Sequence, residues 1–169
     1  MAEAAQKRIQ PDVTRAFSID AQRTFFRAND QVYAIVGVNR DLNLVSDVWF
    51  DRFDTQDEFR AVIDYICDLF RTGAFRYWLA DLRFLRSSFD ASEAWLVNDV
   101  MPAVIEAGLE REAVVLPDAA VDREGEDAYA SGSRALREIA DGRVRGFTDV
   151  ALARRWLLDG ALPEDSNFG

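Results

Sequence analysis

The sequence predicts an α/β fold: a mixed sheet that opens with an N-terminal antiparallel meander and carries helices packed on it. Three observations predict this. Short runs rich in β-formers follow one another at hairpin spacing between Thr24 and Phe50. Beyond Phe50, apolar runs recur but are separated by amphipathic stretches of helical period. One such interval, Tyr77 to Pro117, reads strand, loop, helix, strand, and strands joined by a helix lie parallel with a right-handed crossover.

Thr24-Phe25-Phe26-Arg27 and the run Val32 to Val38 form the first two strands, with Asn29-Asp30 suited to a tight turn between them. Asn39-Arg40-Asp41 separates them from a third strand, Leu44 to Phe50. There Leu44, Ser46, Val48 and Phe50 share one face, and Val45, Asp47 and Trp49 share the other. Thr55-Gln56-Asp57-Glu58 fits a capping box, in which the Thr hydroxyl accepts the N3 amide while Glu58 reaches back. Phe59, Val62, Ile63, Ile66 and Phe70 follow at helical spacing, and Gly73 stops the helix. Tyr77-Trp78-Leu79-Ala80 is the fourth strand; it ends in Asp81-Leu82-Arg83 and a polar turn, Arg86-Ser87-Ser88-Phe89-Asp90. A second helix starts near Asp90, with Glu93 placed as its capping-box partner and an apolar stripe through Leu96, Val97, Val100, Met101, Val104 and Ile105. Pro102 falls inside it and predicts a bend, because an interior proline costs about 3 kcal/mol. Gly108 ends this helix. Ala113 to Leu116, closed by Pro117, is the fifth strand.

After Pro117 the chain turns polar, and residues 118–132 read as a loop or a partly helical, mobile segment. Ser133 is placed to cap a short helix ending at Ile139 to Ala140. Val144 to Phe147 is a short strand, and Thr148 or Asp149 caps a last helix carrying Val150, Leu152, Ala153, Trp156 and Leu157, stopped by Gly160. The order is β-β-β-α-β-α-β-α-β-α. Residues 1–20 read as a mobile lead, 21–160 as one domain and 161–169 as a frayed tail.

The chain has 169 residues, enough to bury a real core in one domain. Its net charge of -10 argues against a nucleic-acid partner, which needs a basic patch, and against an anionic membrane surface. No apolar run approaches the roughly 20 residues that span a bilayer, so no membrane insertion is expected. Met1 to Gln10 lacks the apolar core of a secretory signal, and Cys67 is alone, so the expected location is cytoplasmic. The absence of any His removes Ser-His-Asp and Cys-His chemistry and His-ligated metal sites. No phosphate-cradling glycine motif occurs. No cofactor and no metal site are expected.

In open α/β sheets the functional surface lies at the carboxyl ends of the strands. Asp81, Arg83, Arg86, Ser87, Ser88 and Asp90 cluster there and form the candidate partner-binding or switch loop. The competing reading makes Asp81–Arg83 a local ion pair and the serines turn and cap residues. A phosphate on Ser87 or Ser88 would meet the helix N-terminus and Arg83 or Arg86, while Asp90 would repel it. Asp47, Asp51, Asp54 and Glu58 lack calcium-loop spacing and read as a solvated acidic face. Trp49 and Trp95 read as core by default, with exposed interface anchors as the competing reading, and Cys67 reads as a small buried hydrophobe.

The run Leu79-Ala80-Asp81-Leu82-Arg83-Phe84-Leu85 before a capped helix, and the ending Phe147-Thr148-Asp149-Val150-Ala151-Leu152-Ala153-Arg154-Arg155-Trp156-Leu157, resemble STAS-like (SpoIIAA-like) domains, as in anti-sigma-factor antagonists and uncharacterised bacterial relatives. The resemblance covers roughly Thr24 to Gly160. It implies a non-enzymatic regulatory module that acts through a protein partner, with a phosphorylatable serine in the loop that holds Ser87 and Ser88. Arg86 and Phe89 stand here where that family's D-S-S-G stretch has Asp and Gly. The leading functional expectation is therefore a regulatory or protein-interaction module, with a homodimer as one form of association. The alternative is a small-molecule or lipid carrier with a pocket between sheet and helices. A hydrolase using paired carboxylates ranks third, because nothing in the sequence pairs them.

Overall fold

The computed structural model describes residues 16–118 and 120–161. Six strands form one sheet in the order β1-β2-β3-β4-β5-β6. They are β1 (Asp20–Phe26), β2 (Val32–Asn39), β3 (Leu44–Trp49), β4 (Tyr77–Asp81), β5 (Arg111–Val115) and β6 (Val144–Phe147). β1 to β3 are antiparallel; β3, β4, β5 and β6 are mutually parallel. The predicted meander and the predicted parallel pair at β4 and β5 are both present. β1 begins at Asp20, earlier than the apolar run at Thr24, because its first residues pair across β2 while their side chains stay exposed. Phe17, within the stretch read as a lead, is buried, and its carbonyl accepts a hydrogen bond from Asn39. Residues 1–15 of that lead and 162–169 of the expected tail lie outside the described residues.

Helix α1 (Gln56–Arg71) carries the predicted capping box in full: Thr55 Oγ1 accepts the Glu58 amide at 3.2 Å and Glu58 Oε1 accepts the Thr55 amide at 3.0 Å. The second helix, α2, spans 90–106 as a 3-10 turn (Asp90–Ser92), a short α segment (Glu93–Trp95), a π turn (Leu96–Val100) and a final α segment (Met101–Glu106). The change of register falls just before Pro102, whose missing N–H cannot close an ordinary turn. The expected capping box at Asp90 does not form: no side chain caps this helix, and the Asp90 carboxylate binds Ser131 and Arg134 instead.

Residues 118–132 are partly helical, one of the two forms expected, and helix α3 (Glu126–Ile139) corrects the short helix expected from a Ser133 cap, since it begins at Glu126. Its buried stripe is Ala128, Ser131, Gly132 and Ala135, at helical spacing but built of small residues. That stripe lets the helix lie close to the sheet: a Cβ on Gly132 would stand 2.5 Å from Leu116 Cδ2. Helix α4 (Val150–Asp159) starts at the Asp149 cap, whose carboxylate accepts the Leu152 amide at 3.0 Å.

Each strand lies beside its neighbour in sequence, so the crossover helices step across the sheet in one direction and share a face. The packing agrees: buried residues of α1, α2 and α3 join Val45, Trp49, Trp78, Val114 and Val144 in the larger core. The opposite face packs Leu44, Val48, Leu79 and Val115 against Phe17 and against Trp156 and Leu157 of α4. No helix among the described residues is long and apolar enough to cross a membrane.

Candidate functional site

A cavity of about 60 Å³ lies between the sheet and helices α1 to α3. Its floor is formed by Asp47 and Trp49 of β3, Trp78 and Ala80 of β4, and Glu112 and Val114 of β5, the side chains that alternation turns toward the helices. Its roof is apolar: Phe59 and Ile63 of α1, Leu96 and Met101 of α2, Ala135 and Leu136 of α3. Phe89, from the loop before α2, closes one side and stacks on Phe59 with ring centroids 4.9 Å apart, while Phe59 stacks on Trp49 at 5.2 Å.

Two carboxyl groups therefore face an otherwise apolar and aromatic space. Asp47 is held from both sides by indoles: Trp49 Nε1 donates to Oδ2 at 2.6 Å and Trp78 Nε1 donates to Oδ1 at 2.5 Å. Burial pushes its carboxyl up to about 7; the two indole donors pull the other way, and the charge of Asp81 adds to the rise. Glu112 is 6% exposed, and its Oε1 has no hydrogen-bond partner among the described residues. Burial, reinforced by the charge of Asp47, pushes Glu112 well above the usual carboxylate range. Among the described residues no Lys or Arg lines the cavity. The nearby Cys67 thiol of α1 is buried as expected and pushed up to about 11 by that burial, with Glu112 among the charges that add to it.

The sequence counted Asp47 with a solvated acidic face, and the structure corrects this. Asp47 is interior, whereas Asp51 and Asp54 pair with the buried Arg27 guanidinium at 3.6 and 3.7 Å and Glu58 caps α1. Strand alternation carried the signal, since Asp47 is in phase with Val45 and Trp49. Glu112 was passed over because it precedes the apolar run, yet it is in phase with Val114 and Leu116.

The residues singled out after β4 are brought together, each with its own local partners. Asp81 is buried and takes Arg83 in a two-point pair, Nε to Oδ1 at 3.0 Å and Nη2 to Oδ2 at 2.8 Å. Arg86 pairs with Asp122 at 3.1 Å and Glu124 at 3.5 Å. The Ser87 hydroxyl accepts the Phe53 amide and donates to the Phe53 carbonyl, tying the loop to the connection between β3 and α1. Ser88 and Asp90 meet Ser131 of α3: the two hydroxyls are 3.1 Å apart, Ser131 donates to Asp90 Oδ1 at 2.8 Å, and it accepts the Phe89 amide at 3.0 Å. The Ser131 hydroxyl holds Asp90 below its ordinary value, with Arg134 assisting. Ser131 lies in the stretch 118–132, where the polar composition marks no site, and its place on α3 is what turns it toward the loop.

No family model matches the chain, and no curated protein or solved structure matches it.

Proposed function

We propose that this protein is a non-enzymatic, STAS-like regulatory module that binds a small molecule in the cavity between its sheet and helices. The observation that carries the reading is the cavity wall itself: aromatic and aliphatic side chains around two buried carboxyls, one with an oxygen that has no partner among the described residues. Ligand sites combine an apolar lining with a few polar groups in this way, and an orphaned buried acceptor costs about 1–3 kcal/mol until something donates to it. The strand and helix order that carries the STAS-like resemblance supports the regulatory half of the reading, as does the position of Phe89. Its ring faces the cavity while its neighbours Ser88 and Asp90 are exposed. A ligand that displaces Phe89 changes the surface offered to a protein partner or a second copy of the chain.

Native mass spectrometry of the purified protein tests this, with Ala135→Leu as a variant that fills the cavity from α3. A bound small molecule carried by the parent and lost from the folded variant is expected. A parent that carries none, and gives no spectral shifts at cavity residues against a fragment library, overturns the reading.

The carboxylate-hydrolase reading stands second, because Asp47 and Glu112 share a cavity and the raised Asp47 carboxyl suits proton transfer near neutral pH. Turnover in a hydrolase panel that disappears in Asp47→Asn would favour it over binding alone.

A further inference from the structure

We infer that the ligand of this cavity is a compact hydrophobic amine bound as its ammonium ion, its nitrogen at Asp47 and Glu112 and its hydrocarbon body against the aromatic wall. The inference rests on the interior-binding reading above and specifies its ligand.

Four observations carry it. First, Asp47 has one indole donor on each oxygen, and a carboxylate has roughly four acceptor positions, so acceptor capacity remains on both. Second, Glu112 lines the same cavity with Oε1 unpartnered among the described residues. Two buried groups thus have acceptor capacity toward one space, and an ammonium has three N–H donors to give. Third, the groups that could neutralise the pair from within are absent among the described residues that line the cavity. Phe59 and Ile63 of α1, Leu96 and Met101 of α2, and Val144 of β6 are uncharged. The four α3 residues that line it, Gly132, Ala135, Leu136 and Ile139, are uncharged as well. The other titratable groups near the pair, Asp81 beside Asp47 and Cys67 beside Glu112, are an acid and a thiol. The countercharge must therefore be protons or a ligand cation. Fourth, the stacked Trp49, Phe59 and Phe89 rings give an apolar wall against which a hydrocarbon body packs. At about 60 Å³ the cavity has room for on the order of half a dozen heavy atoms, a small monoamine rather than a lipid.

Burial favours the protonated form of both carboxyls in the empty cavity. An arriving ammonium replaces one of those protons, so binding at a pH where both are held releases a proton to solvent and strengthens as pH rises.

The test compares four near-isosteric probes small enough for the cavity, on the full chain by calorimetry at pH 8: isobutylamine, isobutanol, isopentane and isobutyrate. Isobutylamine is expected to bind at least tenfold more tightly than the alcohol or isopentane, with isobutyrate weakest. Between pH 6 and pH 8 its affinity rises several-fold while that of isopentane does not change. Glu112→Gln removes most of the amine preference and leaves isopentane binding intact. Equal affinity for amine and alcohol, a flat pH profile for the amine, or an undiminished preference in Glu112→Gln overturns the inference and leaves interior binding standing. Binding of none of the four overturns both. The pH comparison uses the native chain, so it decides the matter even if the variant fails to fold.

Discussion

At the scale of single residues, the carboxyls of Asp47 and Glu112 make the fold sensitive to pH. Both have folded-state values raised above the unfolded ones. Their contribution to stability is therefore fully present below the unfolded carboxylate range, about 4, and is lost as pH rises through the folded values, about 7 for Asp47. Asp90 works in the opposite sense, but its lowered value places its loss on the acid side of that window. Urea midpoints at pH 5 and pH 8 are expected to show a less stable protein at pH 8. Glu112→Gln should shrink that difference and exceed the parent in stability at pH 8. A parent equally stable at both values would contradict the burial of these groups in uncompensated form. Ser131 offers a second test at this scale. Ser131→Ala leaves the buried Phe89 amide without its acceptor and is expected to cost about 1–3 kcal/mol in urea unfolding. A variant within a few tenths of the parent would show that the contact is replaceable.

At the scale of elements, what could be read from the chain depended on how local the physics is. The α1 capping box is satisfied within four residues, so its motif and its geometry coincide. The Asp90–Glu93 pair matches the same motif, but Ser131 and Arg134, some forty residues on, win the Asp90 carboxylate. No local window contains them. The α3 stripe was hidden because burial there is achieved by small side chains rather than large apolar ones, which removes the usual periodic signal. The interior place of Asp47 was legible from strand alternation; its pairing with Glu112 was not, because it depends on β4 lying between their strands. A second close approach gives an element-scale prediction. A Cβ on Gly37 of β2 would stand 2.9 Å from the Asp20 backbone oxygen and 2.4 Å from Ile19 Cγ2. Gly37→Ala must push the start of β1 away, and an overpacking cost of about 1–3 kcal/mol is expected. Unchanged urea midpoints would mean that β1 shifts freely.

At the scale of the whole molecule, the described sheet ends at β1 on one side and β6 on the other, with β3, β4 and β5 between two packed layers. Native-state hydrogen exchange is expected to find the slowest amides in β3 to β5 and faster exchange in β1 and β6. Protection of β6 equal to that of β4 would show that the edges do not open independently.

The neighbour-by-neighbour strand order also fixes a history. Each strand can dock on the one made just before it, so the chain can assemble in the direction of its synthesis with short loop closures throughout. Strands β3, β4 and β5, with both acids, precede α3 and β6, whose Ala135, Leu136, Ile139 and Val144 complete the wall around them. Until that last unit arrives, the wall around Asp47 and Glu112 is open on the α3 side, although α1 and α2 already cover part of it. The closing step completes their desolvation, so part of the proton dependence of folding belongs to it and not to the formation of the sheet.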